Sequence, residues 1–100
     1  MYNVVPLAKR VLNEMESRNV KRVSIRLSEA FEISTGFIQP TKRADRKIAE
    51  LMSLLGFKNA ISSPAGREAE LVFEAKLPTQ EIGAKVRCVE ESKEYWRKAF

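Results

Sequence analysis

The chain has 100 residues, of which 44% are hydrophobic and 31% charged, so we expect one folded core rather than a disordered or membrane-spanning chain. No apolar run approaches the ~20 residues that a bilayer requires, and no basic-then-apolar leader begins the chain, so we expect a cytoplasmic protein. Its 18 basic and 13 acidic residues give a net charge of +5, which favours a polyanionic partner.

The first predicted element is a helix from Pro6 to about Arg18. Asn19 is a suitable stop, because asparagine tolerates the left-handed conformation that closes helices. The predicted buried face has the spacing i, i+3, i+4, i+7 of one helix side and consists of Ala8, Val11, Leu12 and Met15.

A short strand and a second helix are predicted next. Val20 to Ile25 is rich in β-branched residues and alternates in polarity, which favours a strand. Either Ser24 or Ser28 is a candidate N-cap for a helix that runs to about Ile33. The buried edge of this helix is predicted to contain Leu27, Ala30 and Phe31.

A tight turn leads into a third helix. Gly36 closes the turn-forming triplet that starts at Ser34 and is free to adopt positive φ, and Phe37 and Ile38 are expected to enter the core. The third helix is predicted over residues 39–56, because Pro40 suits a first helical position and a closing glycine follows Leu55. Its apolar stripe consists of Ala44, Ile48, Leu51, Met52 and Leu55.

The opposite side of the third helix is cationic and is predicted to present Gln39, Lys42, Arg43 and Arg46. Residues 1–58 carry 11 basic and 6 acidic side chains, whereas residues 59–100 carry 7 of each, so the excess positive charge lies in the half that contains this helix. The alternative is a solvated helix surface with a local ion pair between Arg46 and Glu50, four residues later.

A β-hairpin is predicted after the third helix. Its strands are Phe57 to Ile61 and Glu70 to Lys76, with Leu71, Phe73 and Ala75 on one face of the second strand. Pro64 and Gly66 punctuate the connecting loop, whose tip carries Arg67.

A last helix is predicted from the N-cap Thr79 to the end of the chain. A heptad-like seam runs along it and consists of Ile82, Val86, Val89, Lys93, Trp96 and Phe100. One small domain has limited surface to cover such a seam, so we expect a second copy of the chain as its partner. The alternative is that Trp96 and Phe100 pack against the first helix of their own chain.

The residue types that catalysis and metal binding require are scarce. The chain has no histidine, and Cys88 is its single cysteine, which excludes histidine-dependent triads, cysteine-based zinc sites and an internal disulfide. The four glycines are isolated, so no glycine-rich phosphate loop is present. We therefore expect no enzymatic activity, no metal and no cofactor.

The order of helix, strand, helix, turn, cationic helix ending in Leu54-Leu55-Gly56-Phe57, and hairpin resembles the winged helix-turn-helix family. The resemblance covers residues 6–76, and the added last helix is similar to the dimerisation helix of small bacterial and archaeal regulators. It implies an α+β fold with a DNA-binding domain over residues 1–77 and a dimerisation helix over residues 78–100. Some proteins of archaeal viruses and plasmids, including plasmid-partition proteins, are similar too.

The resemblance also implies a function. In this family the third helix enters the major groove of DNA and the hairpin forms a wing that reaches the backbone or the minor groove. The DNA-binding residues carried over to this chain are Gln39, Thr41, Lys42, Arg43, Arg46, Ser63 and Arg67. We therefore expect a homodimeric regulator of transcription that binds double-stranded DNA. The alternatives are a partition or architectural protein that multimerises on DNA and a winged-helix module that binds proteins.

Overall fold

The computed structural model describes residues 1–61 and 69–100, and these residues form five α-helices and three short strands. The helices are α1 (Val5–Arg18), α2 (Leu27–Thr35), α3 (Ala44–Leu54), α4 (Thr79–Cys88) and α5 (Lys93–Ala99). The strands are β1 (Arg22–Arg26), β2 (Phe57–Ile61) and β3 (Glu70–Ala75). The fold of these residues is α+β, as the sequence predicted. Each of the helices is too short or too polar to cross a membrane.

The strands form one antiparallel sheet with β3 in the centre. Phe73 of β3 lies opposite Val23 of β1 on one side and opposite Asn59 of β2 on the other. Alternate side chains of β1 and β3 are buried, as expected of a sheet with one face on the core. The predicted hairpin of β2 and β3 is confirmed.

The core is built from the apolar stripes of the helices and the inner face of the sheet. Every residue predicted for the buried faces of the first three helices is buried. Buried side chains from all three strands and from the five helices of the described residues belong to the same hydrophobic cluster. The 3.6-residue periodicity therefore identified the buried face of each of these helices correctly.

Three predicted left-handed residues end helices. Asn19 follows α1 with φ 53°, and Gly36 follows α2 with φ 84°. Gly56 has φ 105°, and a Cβ atom there would lie 3.0 Å from Leu77 Cδ1 and 3.2 Å from Ile82 Cγ1. Glycine is thus required at position 56 both by the backbone conformation and by the close approach of the C-terminal segment.

The predicted N-caps of two helices are wrong. Ser24 lies within β1 and Ser28 within α2, whose first residue, Leu27, instead donates its backbone N–H to the carbonyl of Ala69 at 2.8 Å. Thr79 is the first residue of α4 rather than its N-cap, which is Pro78. In α2 the tertiary contact with Ala69 satisfies an amide that a side-chain cap would otherwise serve.

The third helix begins at Ala44, so its predicted start at Pro40 is wrong. Ala44 donates its backbone N–H to the carbonyl of Thr41 at 3.1 Å, which closes a turn immediately before the helix. Arg43 occupies the N-cap position in the left-handed conformation, with φ 69°. Gln39, Thr41 and the two cations after it therefore lie on the segment that leads into α3, not on its first turns.

The predicted continuous C-terminal helix is interrupted. α4 ends at Cys88, a single 3₁₀ turn covers Val89–Glu91, and Ser92 is extended with ψ 107°. The Ser92 hydroxyl accepts the backbone N–H of Tyr95 at 3.2 Å and so caps the new helix α5. The chain therefore changes direction one residue before Lys93, the polar position of the predicted seam.

Most of the predicted seam is buried within the chain's own core, because α4 packs on α1 and α5 contacts α3. Ile82, Val86 and Val89 are buried, and Trp96 is half-buried against the same cluster. Lys93 is exposed, and Phe100 is 83% exposed. The prediction of an apolar seam that only a second copy could cover is therefore wrong for Ile82, Val86 and Val89, because the chain itself buries them.

Candidate nucleic-acid interface

Three exposed cations lie where the chain enters α3. Lys42, Arg43 and Arg46, which we name the cationic surface, are all exposed. Ion pairs elsewhere in the described residues engage Arg10, Arg18, Arg22 and Lys98, but none within 4.0 Å engages the cationic surface. Its charge is therefore available to an external anion.

The other side of α3 is fixed against the rest of the molecule. Ala44, Ile48 and Leu51 are buried in the core. The side-chain amide of Asn59 on β2 donates to the carbonyl of Ala49 at 3.0 Å, so a polar bond also holds the helix to the sheet. These contacts fix the rotation of α3 about its axis, so the Arg46 position must face solvent.

The local ion pair that was the alternative explanation of the cationic face is absent. Glu50 Oε1 lies 3.1 Å from Lys98 Nζ of α5, and Arg46 makes no ion pair in the described part of the chain. A carboxylate in its own salt bridge neutralises a second cation less effectively. The C-terminal helix thus engages the carboxylate that would otherwise pair with Arg46.

The first turn of α3 carries one carboxylate. Asp45 accepts the backbone N–H of Arg46 at its Oδ1, with a distance of 2.8 Å. That amide is therefore engaged by the neighbouring side chain. The Asp45 charge sits near the positive end of the helix dipole, where it stabilises the helix start.

Thr41 and Gln39 lie in front of the helix and are exposed. The Thr41 hydroxyl is 3.5 Å from the Tyr2 hydroxyl, a distance at which a hydrogen bond is weak. Both Thr41 and Gln39 therefore keep their polar groups accessible next to the cationic surface. Five of the predicted DNA-binding residues lie within residues 39–46, and all five are exposed.

The predicted wing residues Ser63 and Arg67 lie outside the described residues. The two strands that would carry a wing, β2 and β3, are present and paired in register, with Ile61 opposite Leu71.

Phe37 and Ile38 are not core residues, so that prediction is wrong. Phe37 is 70% exposed and Ile38 is 63% exposed. The left-handed Gly36, with φ 84°, and the bends at Ile38 and Gln39 direct these two side chains away from the core. Together with Phe31, Gly36, Gln39 and Thr41 they line an open depression of about 630 Å³ beside the cationic surface.

No protein-family model, curated protein or solved structure matches this chain. Within residues 1–61 and 69–100, no group of three or more His, Cys, Asp or Glu side chains is placed to hold a metal ion. The geometry and charge of the residues around the start of α3 are therefore the observations on which a functional assignment rests.

Proposed function

We propose that this chain is a winged-helix protein that binds double-stranded DNA with the start of α3. The observation that carries the proposal is the cationic surface: Lys42, Arg43 and Arg46 are exposed, and no carboxylate of the described residues pairs with them. Cations left without an internal partner beside a rigidly packed helix suit a polyanion.

The arrangement of the elements supports the winged-helix part of the proposal. α1, β1, α2 and α3 precede a β2–β3 hairpin, and β3 lies between β1 and β2 in the sheet. In winged-helix proteins α3 is the helix that enters the major groove, and the hairpin flanks it. Here the buried stripe of α3 faces the core, so the helix start is the part that is free to approach a groove.

The chemistry of the exposed side chains suits both the backbone and the bases of DNA. Lysine and arginine neutralise phosphates, and an arginine can also donate two hydrogen bonds to guanine O6 and N7. Gln39 can pair with adenine N6 and N7, and the Thr41 hydroxyl can donate to a phosphate oxygen. In the proposal Arg46, on the helix itself, reads a base, while Lys42 and Arg43 hold the backbone.

The proposed role is regulation of transcription, with two copies bound to half-sites about one helical turn apart. In the proposal the pairing uses the accessible residues of the predicted seam, Lys93, Trp96 and Phe100, since the rest of the seam is buried. A footprint of fixed length covering two half-sites supports a regulator. A footprint that lengthens with protein concentration supports an architectural or partition role instead.

Titration of a fluorescent duplex at several salt concentrations tests the proposal. We expect binding that weakens steeply with salt, because each phosphate contact releases condensed counterions. Arg46→Gln should weaken binding, whereas Arg87→Gln, which removes an exposed arginine of α4, should leave it unchanged. Salt-independent binding, or equal loss in both variants, would argue against the proposed surface.

A further inference from the structure

Two adjacent large apolar side chains stand out on the proposed DNA-binding side. Phe37 and Ile38 are 70% and 63% exposed, and they line the depression of about 630 Å³ next to the cationic surface. Exposed phenylalanine and isoleucine are unfavourable in water, and contiguous exposed apolar area commonly marks an interaction site. Phe37 and Ile38 are therefore suited to contact a partner that has apolar groups of its own.

The backbone holds Phe37 in this exposed position. Gly36 donates its N–H to the carbonyl of Glu32 at 2.8 Å and turns the chain with φ 84°. The Thr35 hydroxyl donates to the carbonyl of Phe31 at 2.8 Å and accepts the Phe37 N–H at 3.1 Å. Phe37 thus leaves α2 in a direction set by three hydrogen bonds, which preorganises it for contact.

The surroundings of the pair restrict the chemistry of the partner. The depression is lined by apolar and neutral polar residues and contains no carboxylate, and the cationic surface follows it along the chain. A second copy of the chain docked face to face here would bring like charges together. A partner that combines apolar groups with closely spaced anions fits better, and the major groove of DNA offers the thymine C5-methyl beside phosphates.

We propose, building on the proposed duplex binding, that Phe37 and Ile38 contact thymine methyl groups in the major groove and give the protein a preference for thymine. Burying one methyl is worth about a fourfold change in affinity per contact. The cationic surface supplies attraction to any duplex, and the apolar pair discriminates between bases.

Two synthetic duplexes isolate the methyl group. One alternates dA and dT, and the other alternates dA and dU, so the second lacks every C5-methyl but keeps the phosphates and the base-pairing groups. Because every register of an alternating duplex presents thymine, no knowledge of a natural target is needed. The wild-type chain should bind the dT duplex at least about fourfold more tightly than the dU duplex.

The variants Phe37→Ala and Ile38→Ala should lower this dT-to-dU affinity ratio towards one while leaving the affinity for the dU duplex unchanged. Both side chains are mostly exposed, so neither change should unfold the protein, which circular dichroism checks. Cys88→Ala, which changes an exposed side chain of α4 that does not line the depression, should keep the wild-type ratio.

The outcomes separate this inference from the proposed function. Equal wild-type affinity for the two duplexes, with steep salt dependence, overturns the methyl contact and leaves duplex binding in place. Equal loss on both duplexes in Phe37→Ala also overturns it, because this would indicate stacking between base pairs. Failure to bind either duplex, and also a mixed-sequence duplex that contains guanine, overturns the proposed function itself and points to an acidic protein as the partner of this surface.

Discussion

Two regions of this chain have similar sequence patterns, but their apolar and charged side chains have different surroundings in the structure. The start of α3 and the C-terminal segment of residues 79–100 both combine an apolar stripe with basic residues. In the first region the stripe is buried, and the cations are exposed and make no ion pair within residues 1–61 and 69–100. In the second the apolar seam is broken at Ser92, and Ile82, Val86 and Val89 are buried by the chain itself.

The difference shows that periodicity identifies a buried face without identifying what buries it. A heptad-like seam suits a partner chain or the chain's own α1 equally well, because both offer an apolar surface. An exposed charge without an ion pair is more informative about function than an apolar face, because it can still bind an external partner. Lys98 of the C-terminal segment pairs with Glu50, the carboxylate one helical turn after Arg46, so the two regions are also linked.

The largest expected effect concerns the seam. Ile82→Ala should lower the free energy of unfolding by about 2–5 kcal/mol, because Ile82 is fully buried and packs where Gly56 and Leu77 meet. Urea denaturation followed by circular dichroism measures it. The control Cys88→Ala, at an exposed position of the same helix, should stay within about 0.5 kcal/mol of wild type. If Ile82→Ala left the free energy of unfolding unchanged and abolished self-association instead, the seam would be an interface between two copies of the chain.

A smaller effect is expected where the C-terminal segment is anchored to the N-terminus. The buried Tyr95 hydroxyl accepts the backbone N–H of Val4 at 2.8 Å and lies 3.4 Å from Asn3 Oδ1, to which it donates. Tyr95→Phe should cost about 1–3 kcal/mol, because it leaves a buried N–H without a partner. Thermal or urea unfolding measures it. Tyr2→Phe is the matched control, since the Tyr2 hydroxyl is exposed, and equal losses in both variants would contradict the anchor.

The same tyrosine predicts a pH dependence. Burial raises the pKa of the Tyr95 phenol, and the Val4 N–H opposes this in part. Because the folded pKa lies above the unfolded value of about 10, the stabilisation is complete below pH 10 and is lost as pH rises through the folded pKa. Wild-type stability should therefore fall more steeply above pH 10 than that of Tyr95→Phe. Parallel curves in unfolding experiments would show that the phenol has the same pKa in the folded and unfolded states, which would contradict the shift.

The smallest stability effect is expected at the cationic surface. Arg43 holds a left-handed φ of 69°, which is unfavourable for a side chain with a Cβ atom. Arg43→Gly should leave stability unchanged or raise it by up to about 1 kcal/mol, while weakening DNA binding. Arg43→Ala removes the same charge but keeps the strain, so it should match the glycine variant in binding only. A lower free energy of unfolding in Arg43→Gly would show that the Arg43 side chain stabilises the fold.

Much of the fold followed from local patterns, and the errors have specific causes. The bounds of β2, the stop at Asn19 and the buried stripes depend on neighbours in sequence, and they were predicted correctly. Pro40 gave a false helix start, because the turn between Thr41 and Ala44 sets the actual one. The heptad-like spacing predicted one continuous C-terminal helix, although Ser92, within the seam, is a good N-cap residue and starts a new helix.

The candidate site was less accessible to prediction, because it depends on contacts between residues distant in sequence. The absence of an Arg46–Glu50 pair follows from Lys98, almost fifty positions later, and no local pattern contains that information. The exposure of Phe37 and Ile38 depends on how the chain leaves α2 through Gly36 and Thr35. Helical spacing predicted which cations are exposed, but it did not predict that Lys42 and Arg43 precede the helix.

The most direct test of the central claim compares the salt dependence of duplex binding in two triple variants. One combines Lys42→Gln, Arg43→Gln and Arg46→Gln, and the other combines Lys85→Gln, Arg87→Gln and Arg97→Gln in the C-terminal segment, so both lose one lysine and two arginines. The first should reduce the slope of log affinity against log salt by up to about three, and the second should leave it at the wild-type value. Equal slopes in the two triple variants would show that net charge, and not the start of α3, accounts for any attraction to DNA.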